Sequence, residues 1–172
     1  LLRMLLARVP GGLASASVGA CGLFAAASGS SVATTAAMSR IAVPEMLRAN
    51  YHPSLATGVV AASGTLGSLI PLSILMVLYG IFTEQSIGQL FIAGVVPGVL
   101  SALVYIAMIT VRCTIKPSLA PPVKNLFEWS RFWRLLLSVW PFPVLIFGVL
   151  GGIFGGFFTP TEAGSVGAFL AL

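Results

Sequence analysis

Between Val9 and Ser39 no side chain carries a charge, and Arg3, Arg8, Arg40 and Arg48 stand at the two ends of that stretch. Thirty-one residues of α-helix measure about 46 Å, too long for one crossing of a ~30 Å hydrocarbon core. Two complete crossings of about 20 residues each, plus a turn, need more chain than this. The length predicts a re-entrant hairpin that enters a membrane, breaks near Ser28-Gly29-Ser30-Ser31 and returns to its own side. Irregular backbone at membrane depth persists only where protein or a polar cavity satisfies its N–H and C=O groups. A break carrying hydroxyls and a glycine is therefore a candidate ion or substrate site.

Three further uncharged stretches follow, over 49–83, 85–111 and 135–161, each longer than the roughly 18 residues that mark a candidate span. With 8% charged residues, against about 25% in a soluble domain, and a mean hydropathy of +1.04, the chain reads as an integral membrane protein. The apolar stretches are too many and too internal for a signal peptide. With no initiator Met and an ending in mid-pattern at Leu172, the chain reads as a fragment of a longer protein. A net charge of +5 does not indicate nucleic acid, because the basic residues sit in short connections beside apolar spans. Arg112, Lys116, Lys124, Arg131 and Arg134 share one such loop, the pattern of cytoplasmic connections. Parity supports the hairpin. With it, all nine Lys and Arg fall on one side and the 81–88 turn, holding Glu84, on the other. With a single span, the division becomes seven against two.

Along the chain, Gly11–Ala27 is rich in small residues that let membrane helices approach closely. Val32–Arg40 is the expected returning half-helix, and Pro44-Glu45 is expected to open a short interfacial helix. From Ser54 to Gly80 runs a long apolar element interrupted by Gly64-Thr65-Leu66-Gly67-Ser68 and by Pro71, which predicts an unwound helix. Gly88–Val111 reads as a plain span, Lys124–Leu137 as an amphipathic interfacial helix, and Trp140–Phe158 as a further span. Thr159-Pro160-Thr161-Glu162 has the form of a capping box at a new helix start.

The candidate chemistry is oxygen-based. Hydroxyls and carbonyls at Ser28, Ser30 and Ser31 suit Na⁺, a hard cation, and the second broken element, Gly64–Pro71, favours a site over a plain turn. Half-helix ends add dipoles, and two discontinuous helices close in sequence point to a transporter binding centre. The bland alternative is a serine-rich turn bonded to its own backbone. Glu162 is better explained as a cap than as an intramembrane carboxylate, and His52 as a solvated turn residue. Cys21 and Cys113 lack disulfide or metal spacing and read as small buried hydrophobes. No H-E-x-x-H, G-x-S-x-G or phosphate-binding loop is present, so catalysis and an organic cofactor are not expected.

Gly-Ser-Ser-Val-Ala-Thr (29–34), Pro-Glu-Met (44–46), Leu-Ala-Thr-Gly-Val-Val-Ala-Ala-Ser-Gly-Thr-Leu-Gly (55–67) and Ile-Pro-Leu-Ser (70–73) together resemble the large membrane subunit of TRAP transporters. So do Tyr-Gly-Ile-Phe-Thr-Glu-Gln-Ser-Ile-Gly (79–88), Leu-Phe-Ile-Ala-Gly (90–94) and Gly-Gly-Phe-Phe-Thr-Pro-Thr-Glu-Ala (155–163). The resemblance implies an all-α polytopic protein of the bacterial or archaeal inner membrane, with a re-entrant hairpin, discontinuous helices and an elevator-type movement. It implies Na⁺-coupled import of an organic anion such as a carboxylate or sialic acid, with Ser28, Gly29, Ser30 and Ser31 at the tip of the hairpin and Gly64, Thr65 and Gly67 on the broken helix that shares a Na⁺ site with it. The implied partners are a small four-helix membrane subunit and an extracytoplasmic substrate-binding protein. On this pattern the chain divides into 1–50 (hairpin and cytoplasmic connection), 51–116 (broken helix and next span), 117–137 (interfacial segment) and 138–172 (start of the second half). One departure is Leu72, where the family commonly has a second proline, and a softer break is expected there. The alternatives are a binding-protein-independent carboxylate or ion transporter of similar hairpin fold, and a non-transporting membrane scaffold.

Overall fold

A computed structural model describes residues 10–121 and 140–170 of the chain. The amphipathic helix expected over Lys124–Leu137 lies outside the described residues, as do Arg3 and Arg8. Every element among the described residues is helical.

Helix α1 spans Gly12–Ser28 and occupies the centre, packed on the helices that follow. Its small residues Ala14, Cys21 and Ala25 are fully buried, which lets neighbouring backbones come close. It stops at Gly29, whose φ of 62° lies in the left-handed region and whose N–H donates to the Ala25 carbonyl. Helix α2, Ser31–Arg48, starts at once, with the Ser30 hydroxyl accepting from the Ala33 N–H at 3.3 Å. The two helices form a hairpin. Tyr51, just beyond α2, accepts through its phenol oxygen from the Leu13 N–H at the start of α1 (3.3 Å).

Helix α2 does not divide at Pro44, where a separate interfacial helix was expected. Thr34, Met38, Ala42 and Met46 form a buried stripe at four-residue spacing that passes through the proline. Packing of that stripe outweighs the roughly 3 kcal/mol that an interior proline costs a helix. The chain then enters α3, Pro53–Gly64, capped by the His52 ring accepting from the Ser54 N–H.

One turn, α4 (Leu66–Leu69), continues α3 past a single turn residue at Thr65, whose backbone stays in the right-handed helical region. The true interruption comes next. Ile70 is extended, Leu72 has φ of 76°, and helix resumes only at α5, Ile74–Thr83. Helix α6, Ile87–Ile115, runs back for 29 residues and ends in a short 3₁₀ turn at Pro117–Leu119. The Leu119 carbonyl accepts from the His52 N–H at 3.0 Å, tying that end to the start of α3. Segment 53–83 and α6 are each long and apolar enough to cross a membrane. Their outer faces leave Leu75, Phe82, Val96 and Leu103 exposed, as lipid or further protein would require.

Helices α7 (Pro141–Phe154) and α8 (Pro160–Leu170) pack on each other, with Val149 and Ala163 buried between them.

Candidate functional site

The two backbone interruptions meet. The Ile74 N–H, first in α5, donates to the Gly29 carbonyl at the turn of the hairpin (3.2 Å). A Cβ on Gly29 would collide with the Leu72 carbonyl oxygen, so this crossing accepts only glycine there. Gly67 closes the contact from α4: a Cβ on it would sit 2.8 Å from Ser31 N and 3.0 Å from Ser30 C. Helix α6 backs the arrangement with Gly94 and Gly98, whose faces meet the Leu69 carbonyl and Ile70. Small residues four apart permit that approach.

Of the residues singled out from the sequence, Ser28, Gly29, Ser30, Ser31 and Gly67 lie at or beside the crossing. Gly64 lies a turn away, so close to the Thr35 hydroxyl that no Cβ fits between. Thr65 borders an open groove with Ser31, Thr35 and Ser39. Its hydroxyl donates to the Ala62 carbonyl (2.6 Å) and lies 3.3 Å from the Tyr105 phenol on α6. Because each hydroxyl has one proton, Tyr105 is the donor to Thr65.

The same proton count decides the chemistry of the hairpin turn. Thr34 donates to the Ser30 carbonyl (2.7 Å) and Thr35 to the Ser31 carbonyl (2.8 Å). The Ser28 hydroxyl, 2.9 Å from Thr34 Oγ1, must then be the donor of that pair. With their protons committed to backbone, Thr34 and Thr35 present lone pairs, which suits a cation. Four helix termini also converge. The C-terminal ends of α1 and of the α3–α4 arm bring negative dipole ends, and the starts of α2 and α5 bring positive ones.

Ser73 was not singled out from the sequence as a site residue. It sits in the second interruption, fully buried, and its hydroxyl has no hydrogen-bond partner. An orphaned buried hydroxyl costs about 1–3 kcal/mol unless something ligates it. A serine following a Pro-Leu break was the available signal. Among the described residues no group of His, Cys, Asp and Glu could hold a metal, so a cation here would rely on carbonyl and hydroxyl oxygens.

Elsewhere, the Thr159–Glu162 capping box forms. The Glu162 carboxylate accepts from the Thr159 N–H and hydroxyl, both at 2.8 Å. Those two bonds, the backbone one foremost, hold its carboxyl below the usual glutamate range. His52 is a helix cap, and Cys21 and Cys113 are buried free thiols.

The sequence profile of the tripartite ATP-independent periplasmic transporter DctM component matches residues 1–172. The chain is similar to the C4-dicarboxylate TRAP transporter large permease protein DctM of Pseudomonas aeruginosa, 48% identical over 165 residues, covering 93% of this chain and 37% of the relative. It is similar to the isethionate TRAP transporter permease protein DctMQ of Oleidesulfovibrio alaskensis, 38% identical, covering 98% of this chain and 26% of the relative. It is also 34% identical to the sialic acid TRAP transporter large permease protein SiaM of Vibrio cholerae, covering 99% of this chain and 39% of that protein. The chain thus spans between about a quarter and two fifths of the length of these relatives. They are permeases, not enzymes.

Proposed function

We propose, from the premise that this chain belongs to the DctM-component family of tripartite ATP-independent periplasmic transporters, that it carries one ion-binding half of a Na⁺-coupled permease for organic anions. The observation that carries the reading is the buried, unpartnered Ser73 hydroxyl at the crossing of two broken helices. In the proposed site, Ser73 Oγ and the Gly29 carbonyl, which keeps a lone pair beside the one that accepts from the Ile74 N–H, hold the cation, and the C-terminal dipole ends of α1 and α4 reinforce them. The bound charge offsets repulsion between those ends and tightens the turn. The starts of α2 and α5 then face an anionic substrate.

The hairpin is re-entrant in this reading, and the whole permease works with a small membrane subunit and a substrate-delivering binding protein. Relatives named for C4-dicarboxylate, isethionate and sialic acid support a solute with an acidic group, and those named for ectoine, a zwitterionic carboxylate, extend that class beyond net anions.

The test uses the whole permease with its partner subunits in vesicles. Replacing Ser73 with Ala, or Ser30 with Ala, is expected to raise the Na⁺ concentration for half-maximal uptake. Ser73→Ala has a second expected signature. Without Na⁺ it melts no lower than wild type, because an unpaired hydroxyl is gone, while the rise in Tm on adding Na⁺ shrinks. A Na⁺ response equal to wild type in both variants overturns the site.

A further inference from the structure

A second cavity, of about 230 Å³, lies away from the crossing, in a cleft between α3 and α6. Its α3 wall is Ser54, Gly58 and Ala62; its α6 wall is Arg112, Met108 and Tyr105. Val18 of α1 is among its lining residues. The two caps of α3 are tied to the α6 side, Thr65 to Tyr105 within α6 and His52 to Leu119 just beyond it, so the helices run antiparallel with a gap between. Polarity therefore varies along the cleft. Arg112 and Ser54 occupy the end nearest the 3₁₀ turn, and the interior is apolar over roughly 12 Å, eight residues of helix rise. The α3 wall is open at Gly58, where a Cβ would meet nothing within 4 Å, so only a larger side chain there would fill the slot. Arg112 is exposed, in the last turn of α6, and makes no ion pair among the described residues.

We propose that this cleft binds one anionic phospholipid, its phosphate on Arg112 and one acyl chain between α3 and α6. A headgroup-sized cation at one end and a slot without polar demands behind it match a lipid better than a soluble anion. An anion alone would leave the apolar part empty. Arginine pairs with phosphate through two parallel N–H bonds, and basic pockets between spans are suited to acidic headgroups. The basic connections place this end on the cytoplasmic side, where the membrane surface is negative. The proposal needs 53–83 and 87–115 to lie in the bilayer and does not depend on Na⁺ coupling.

Native mass spectrometry of the full-length permease tests it, with added phosphatidylglycerol, phosphatidylcholine or inorganic phosphate as probes. Wild type is expected to retain one phosphatidylglycerol that Gly58→Leu, which fills the slot, does not. Arg112→Gln should weaken retention about fivefold, and Arg112→Lys should restore part of it. Equal retention by wild type and both Gly58→Leu and Arg112→Gln overturns the proposal. So does equal retention of phosphatidylcholine, displacement by inorganic phosphate, or a wild type that retains no phosphatidylglycerol. Arg112→Gln changes an exposed side chain, so the headgroup arm survives if Gly58→Leu fails to fold.

Discussion

At Leu72 a branched side chain holds φ of 76°, a region that L residues other than glycine enter at a cost of about 1–2 kcal/mol. Its carbonyl lies against Gly29 and the next residue but one donates to the Gly29 carbonyl, so the conformation is held by the crossing itself. Proline fixes φ near −65° and cannot adopt this geometry. Leu72→Pro is therefore expected to lower stability by about 2 kcal/mol or more, and Leu72→Gly to stay within about 1 kcal/mol of wild type. Thermal unfolding of the purified permease measures both. Equal behaviour of the two variants contradicts the left-handed backbone. The interruption is complete with leucine in place, from Ile70 to Ser73, since Pro71 and the neighbouring main-chain contacts suffice to stop the helix.

For the helices, local signals were legible in proportion to how local their cause is. Gly29 ends α1 and Ser30 caps α2 because a left-handed C-terminus and an N-terminal hydroxyl are nearest-neighbour effects. The Thr159–Glu162 box likewise appears as read. It predicts a pH dependence. A carboxyl whose folded pKa is depressed stabilises above its unfolded pKa and loses that contribution as pH falls through the folded value. Melting of the α8 start is expected to be easier below the usual glutamate range, and Glu162→Gln should flatten that dependence. Amide exchange at residues 159–163 in the permease, followed against pH, reports it. The same profile in Glu162→Gln and wild type refutes it. Pro44 misled because its breaking tendency is local, whereas the stripe that overrides it packs on residues distant in sequence.

Across the whole molecule, the two interruptions are brought together by the close passage of Gly67 over Ser30 and Ser31. A methyl there meets backbone, which cannot move aside as a side-chain tip could. Gly67→Ala is expected to cost about 1–3 kcal/mol and to reduce the Na⁺-dependent gain in Tm along with basal stability. Gly151→Ala, in a helix and facing open space, is the control: it should leave the Na⁺-dependent gain unchanged and raise basal stability by up to about 1 kcal/mol. If both alanines melt alike, the crossing is not as close as described.

The sequence alone determined the helical class, the membrane character, the position of the first break and the family, because these follow from uncharged run lengths, glycine and serine placement and ordered motifs. It marked Gly64–Pro71 as one interrupted stretch but did not separate the single turn residue at Thr65 from the non-helical backbone of 70–73. Only the tertiary structure decided that Ser73 is buried without a partner, that Gly67 rather than Gly64 meets the hairpin turn, and that α3 and α6 leave a cleft ending at Arg112. The reason is physical. Propensity and hydropathy act over a few neighbours, whereas a shared pocket depends on which helix faces meet across dozens of residues, and packing alone selects those.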